Sequence, residues 1–305
     1  MSGKFLDAEK IAATLVGFNT IFNEALANMA SQAALFANVI ATTKTSEQFN
    51  WLGAVPAFQK WIGERKITKL RAANYTIGID KYATGLEVDQ DDLDDDQLGI
   101  FLPKIRDLAG KVVEHVDLMI MDYIANGFAT TKYGAGYDGV AFFSASHKNG
   151  DGPTQTNLGT ATLDDTGAFD TAMQKMAELV DENGTPLSIT PTHLVVGPKL
   201  WRTALDLLKA QFGANGASNV HFGAVELVKS PRLVGSYADY WFLMDLGKSL
   251  KPMIHLVRRP VQFRSVVGAD SIEKFLRDKL YFGADARYGF GYGLWELVYG
   301  SNGTT

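Results

Sequence analysis

Six aspartates crowd the nine residues Asp89-Gln-Asp-Asp-Leu-Asp-Asp-Asp-Gln97, with no cation among them. Carboxylates at that density can ligate a hard metal ion, act as an acid–base pair, or place charge at the start of a helix. A calcium loop of the EF-hand type needs oxygen donors at positions one, three and five, glycine at six and a bidentate glutamate at twelve. Counted from Asp92 the acids fit, but position six is Gln97 and position twelve is Pro103. The calcium reading fails. The plainer account is that aspartates at a helix start face the positive end of its dipole, each contributing roughly 0.3–1 kcal/mol when exposed. That account needs only two or three of the six.

The remaining reactive side chains form no catalytic set. His147 lies close to Ser144 and Ser146, a base beside two hydroxyls, but no Gly-x-Ser-x-Gly elbow surrounds them. A loop histidine making one hydrogen bond is the expectation. His193 and His255 stand in apolar strand-like runs and are expected to be satisfied core or interface residues. His115 and His221 have no carboxylate or second histidine at ligand spacing. The glycines of Gly289-Phe-Gly-Tyr-Gly-Leu-Trp295 alternate with large aromatics and open no capped helix that could hold phosphate, so they read as strand glycines permitting close backbone packing. No metal, cofactor or catalytic residue is expected.

Charge gives a sharper contrast. Lys60, Arg65, Lys66, Lys69 and Arg71 face only Glu64 within their stretch, while Glu87, Asp89, Asp91, Asp92, Asp94, Asp95 and Asp96 have no cation within theirs.

These patches need elements to carry them. Residues 6–43 space Ile11, Leu15, Phe18, Ile21, Phe22, Leu26 and Met29 at helical intervals and read as a partly helical arm. Residues 46–90 turn strand-like, and Tyr75-Thr-Ile-Gly-Ile-Asp-Lys-Tyr82 alternates at period two, as in a projecting hairpin. A hairpin cannot stabilise itself by local burial and must lie on something; a second copy of the chain is the natural candidate. From 91 to 128 one apolar stripe runs from Leu98 through Ile105, Val112 and Ile120 to Tyr123, predicting a long helix that Gly99 and Pro103 bend near its beginning. The acidic run then becomes that helix's first turn and approach. Residues 129–160 are turn-rich. An α/β block follows: a helix within 163–182, strands at His193–Val196, Val225–Val228 and Trp241–Met244, and a helix over 198–211. Met253–Val261 and Ala284–Tyr299 read as strands.

Bulk properties bound the rest. A chain of 305 residues can bury a sizeable core. Its net charge of −5 gives no general attraction to nucleic acid or anionic lipid. Without cysteine it forms no disulfide and no thiolate site, which fits cytosolic synthesis, and no window predicts a signal peptide or membrane span.

Several stretches, taken in order, carry a family resemblance: Trp61-Ile-Gly-Glu-Arg65, the Tyr82–Asp96 passage with Asp92-Leu-Asp-Asp-Asp-Gln-Leu-Gly99, Tyr137-Asp-Gly-Val-Ala-Phe-Phe143 with His147, Pro191-Thr-His-Leu-Val-Val196, Ser230-Pro-Arg-Leu233 and Tyr288-Gly-Phe-Gly-Tyr-Gly-Leu-Trp295. Together they span nearly the whole chain and resemble the major head (capsid) subunit of Mu-like phages, the T gene product family. The resemblance implies an α+β fold of the HK97 capsid type. It further implies an N-arm over 1–45, an E-loop over 46–90, a P-domain with its spine helix over 91–160, an A-domain over 161–264, and P-domain return strands over 265–305.

The function so implied is a virion shell protein, not an enzyme. It would assemble in the host cytoplasm as hexamers and pentamers into an icosahedral head around double-stranded DNA, met by weak non-specific contacts. The implied partners are other copies, a portal and a separate scaffold protein, the last because only a short arm precedes the E-loop. Charge then suggests a seam in which Lys60, Trp61, Arg65, Lys66, Lys69 and Arg71 of one subunit lie across Asp91, Asp92, Asp94, Asp95 and Asp96 of the next, with Trp51, Phe58 and Trp61 as apolar anchors. Three other readings stay open: an encapsulin-like protein compartment, a hydrolase using the aspartate cluster, and a tail-tube protein, which the long helix beside a projecting hairpin disfavours.

Overall fold

A computed structural model of the chain describes residues 8–49, 75–94, 99–150, 152–163, 167–212, 216–266 and 278–304. The arm folds as α1 (Ala8–Asn28), a single turn α2 (Ala33–Phe36) and strand β1 (Ala37–Ala41). Strands β2 (Ser46–Phe49), β3 (Tyr75–Gly78) and β4 (Asp80–Asp89) follow, then the short helix α3 (Gln90–Asp94) and the long helix α4 (Phe101–Ala125). Beyond the turn-rich stretch with β5 (His147–Lys148), β6 (Thr154–Gln155) and β7 (Leu158–Gly159) come α5 (Gly167–Ala177), β8 (His193–Val196), α6 (Trp201–Lys209), β9 (Glu226–Lys229) and β10 (Trp241–Met244). The chain closes with β11 (Met253–Val266), β12 (Lys279–Tyr292) and β13 (Val298–Ser301).

Two sheets organise these pieces. The first has the order β1-β11-β12-β4, and β1 runs parallel to β11 while the other pairs are antiparallel. The second has the order β7-β13-β10-β8-β9. Alternation along β12 sends Leu280, Phe282 and Ala284 to one face, where they meet Ile105, Leu108, Ala109 and Val112 of α4 and Phe18 and Phe22 of α1. Burying each such aliphatic or aromatic side chain contributes about 1.5–3 kcal/mol, so this seam fixes α4 along the first sheet. The later turns of α4 turn Ile120, Met121 and Ile124 into a second core with Phe142, Phe143 and the strands of the second sheet. At about 1.5 Å per residue α4 is some 37 Å long, enough to serve both cores. Asp117 on this helix also takes hydrogen bonds from Ser31 Oγ at 2.7 Å and Ala33 N at 2.9 Å, fastening the arm to it.

Three expectations change. The stripe over 91–128 is not one bent helix: Gly99 adopts a left-handed φ of +64°, and the long helix starts at Phe101 with no acid in its first turn. Asp91 and Asp92 of the acidic run therefore open α3, and the dipole they face is that of α3. Second, the alternating stretch 75–82 is not itself a hairpin, because β3 pairs with β2 and β4 leaves to join the first sheet beside β12. Third, the boundary expected at 264/265 falls inside β11, and the residues after it contribute β12 to the first sheet and β13 to the second.

Candidate assembly surfaces

Of the residues expected at a seam, Lys60, Trp61, Arg65, Lys66, Lys69, Arg71, Asp95 and Asp96 lie outside the described residues, as do Trp51 and Phe58. Asp94 ends α3. Asp91 and Asp92 are exposed in the first turn of that helix, where the Asp91 N–H donates to Asp89 Oδ1 at 3.1 Å. The structure also brings a cation that the local sequence does not reveal. Lys279, at the start of β12, is in register with Asp89 and reaches Asp89 Oδ2 at 3.2 Å and Glu87 Oε1 at 3.5 Å. The Asp89 hydrogen bond holds the Lys279 ammonium above its ordinary pKa. Part of the acidic block is thus answered within the chain, and Asp91 and Asp92 extend the charge outward.

The β2–β3 pair is held by close backbone approach. β2 and β3 form an antiparallel pair, and β3 crosses β12 where glycines remove the side chains. A Cβ at Gly289 would overlap the Gly78 carbonyl, and one at Gly291 would overlap the Ile77 side chain. The Tyr292 N–H donates to the Tyr75 hydroxyl at 2.7 Å. Burial pushes the Tyr75 phenol up to about 12. Ile77 and Ile79 join Ile254 and Leu256 in a small core under the crossing. These contacts bear out the reading of Gly289–Gly293 as packing glycines, and they fix the β2–β3 pair against β12.

The other polar residues are structural. His147 is buried, stacked 4.1 Å from the Trp295 ring, with Nδ1 2.5 Å from Asp138 Oδ2 and Nε2 3.0 Å from Asn157 Oδ1. It makes two hydrogen bonds, not the single one expected of a loop histidine. Ser144 and Ser146 pair with each other at 3.0 Å. His255 also departs from expectation: its Nε2 has no partner, and burial pushes its pKa down to about 4. Beside His147 sits Glu296, which no local pattern singles out and whose Oε1 accepts from the Tyr137 hydroxyl at 2.9 Å. No group of three or more potential metal ligands occurs among the described residues, and no helix among them is long and apolar enough to cross a membrane.

Comparison with known proteins agrees with this architecture. The profile of the family described as Mu-like prophage major head subunit gpT matches residues 11–168, 155–234 and 232–305. The Mu-like prophage FluMu major head subunit of Haemophilus influenzae is 26% identical over 296 residues, covering 96% of this chain and 73% of the relative. The major capsid protein of Escherichia phage Mu is 22% identical, covering 94% and 72%. Among solved structures, the procapsid of bacteriophage JBD30 superposes with a TM-score of 0.62 at 23% identity, over 97% of this chain and 75% of that one.

Proposed function

The chain belongs to the Mu-like prophage major head subunit gpT family, and from that premise we propose that it assembles as hexamers and pentamers into an icosahedral head enclosing double-stranded DNA. It is a phage major capsid protein with the HK97-type fold, a structural chain and not an enzyme. The observation that carries the assembly reading is the crossing of β3 over Gly289 and Gly291. It fixes the β2–β3 pair, and a two-stranded ribbon needs a surface to lie on, which a second copy of the chain would supply.

In this reading α1 is the N-arm, β2 and β3 with the segment between them are the E-loop, α4 with the first sheet is the P-domain, and the second sheet with α5 and α6 is the A-domain. The basic segment from Lys60 to Arg71 and the acidic end at Asp91 and Asp92 both lie at contacts between copies. A separate scaffold protein and a portal complete the assembly, which takes place in the host cytoplasm. Packaged DNA is met by weak, sequence-independent contacts.

Negative-stain microscopy of the purified protein tests the reading. Closed shells or capsomer rings are expected, and monomers at every concentration and salt would overturn it. An encapsulin-like compartment is set apart by content: shells that hold a protein cargo and no nucleic acid in the producing cell favour it.

A further inference from the structure

The face of the first sheet turned away from α4 carries a row of cations. Lys81 on β4 stands in register with Arg287 on β12, and Arg287 with Arg259 on β11. Strands lie about 4.8 Å apart, so three positive groups line up across about 10 Å. Like charges placed directly opposite one another in a sheet destabilise it. Among the described residues Asp285 alone answers them, accepting from Arg259 Nη2 and from Arg264 Nε at 2.5 Å, and neither Lys81 nor Arg287 has an ion pair there. Arg258 stands in the irregularity between Val257 and Arg259. Buried nitrogens of Arg258, Arg259 and Arg287 have no hydrogen-bond acceptor among the described residues, a demand that an incoming acceptor would meet and a carboxylate would meet most strongly.

The other end of the same strand has the opposite sign. Six and eight residues along β4 from Lys81, about 20 and 26 Å away, Glu87 and Asp89 share this face with Lys279, and the exposed Asp91 and Asp92 follow on α3. Between the two ends Gly85 and Gly283 pair directly. They line a trough of about 410 Å³ bordered by Arg264.

We propose that this sheet face is a self-complementary contact between two copies, in which Lys81, Arg287 and Arg259 of one receive Glu87, Asp91 and Asp92 of the other. The proposal rests on the shell reading above and adds the identity of the acidic end's partner. A strand positive at its start and negative at its end meets its own copy favourably only when the two run antiparallel. Each two-fold pairing then makes the charged contact twice, and the parallel arrangement sets like against like.

Charge exchange tests it. At about 0.1 M salt, where screening acts over about 10 Å, the pair Lys81→Glu with Arg287→Glu and, separately, the pair Asp91→Lys with Asp92→Lys should each lower the assembled fraction about tenfold. Combining all four in one chain should restore assembly. Circular dichroism melting separates a fold defect from an assembly defect, and Lys81→Glu alone, at an exposed position, should still reduce assembly. Restoration of the Asp91/Asp92 reversal by Lys66→Glu with Arg71→Glu, and not by the sheet reversals, would assign the acidic end to segment 60–71 and overturn the proposal. So would variants at Lys81 and Arg287 that build normal shells but lose retained DNA, which would make the row a phosphodiester surface. Wild-type protein that never assembles defeats the shell reading instead; normal wild-type shells matched by every reversed variant defeat this contact alone.

Discussion

Glu296 is the most exacting polar residue of the chain. Its side chain is buried, Oε2 has no partner, and burial pushes its pKa up to about 7 from an ordinary 4.5. The folded state therefore holds this proton more tightly than the unfolded state. Its contribution to stability is largest below pH 4.5, declines as pH rises through the window from 4.5 to 7, and is gone above it. At about 1.4 kcal/mol per pH unit the swing is roughly 3 kcal/mol. Glu296→Gln, which imitates the protonated acid, should raise the melting temperature at pH 8 and flatten this slope; a variant that melts no higher than wild type at pH 8 refutes the account. Next to it, Asn157 donates to the carbonyls of Phe142 and Trp295, so its own oxygen must face His147. His147→Ala leaves the Asp138 carboxylate buried without its partner, and denaturant unfolding should report a loss of about 3–5 kcal/mol. Sequence placed His147 in a loop because Trp295, which covers its ring, is far along the chain, and no local pattern announces such a stack.

At the scale of elements, strand and helix types were largely legible and their partners were not. Trp241–Met244 and His193–Val196 read as strands because each is short, apolar and rich in residues that suit a pleated core. The stripe over 91–128 misled because apolar spacing persists on both sides of Gly99, while the backbone at that glycine is left-handed and the long helix starts beyond it. Gly99→Ala should cost about 1–2 kcal/mol in a denaturation experiment, the price of a Cβ in that conformation. The glycine–aromatic strand was read correctly for a physical reason: a residue without Cβ, flanked by large rings, marks a place where another backbone comes near. Gly289→Ala should push β3 away from β12, costing about 1–3 kcal/mol and opening residues 46–49 and 75–78 to limited proteolysis. Gly78→Ala, one strand away and facing open space, should do neither. Equal protease sensitivity in the two variants counts against the crossing as the anchor.

For the molecule as a whole, the family and the HK97-type architecture could be recognised from ordered stretches spread along the sequence, whereas the boundary at 264/265 could not be placed. Pairings such as β1 beside β11 join residues more than two hundred positions apart, and hydrophobic period carries no record of which strand lies next to which. The acidic run was legible as charge, but Lys279 was invisible because its register with Asp89 exists only in the folded sheet. If ionic seams hold the copies together, raising salt from about 0.1 M to 1 M shortens screening from about 10 Å to 3 Å and should lower the assembled fraction measured by light scattering. A fraction that rises with salt would assign the drive to apolar burial. The strand orders also govern synthesis. β13 sits between β7 and β10, and β1 waits for β11, so neither sheet can close on the ribosome before the last residues of β13 and β12 emerge. A polypeptide cut short before residue 298 lacks an interior strand of the second sheet and cannot present finished contacts, which makes synthesis through β13 a checkpoint for entry into the growing lattice.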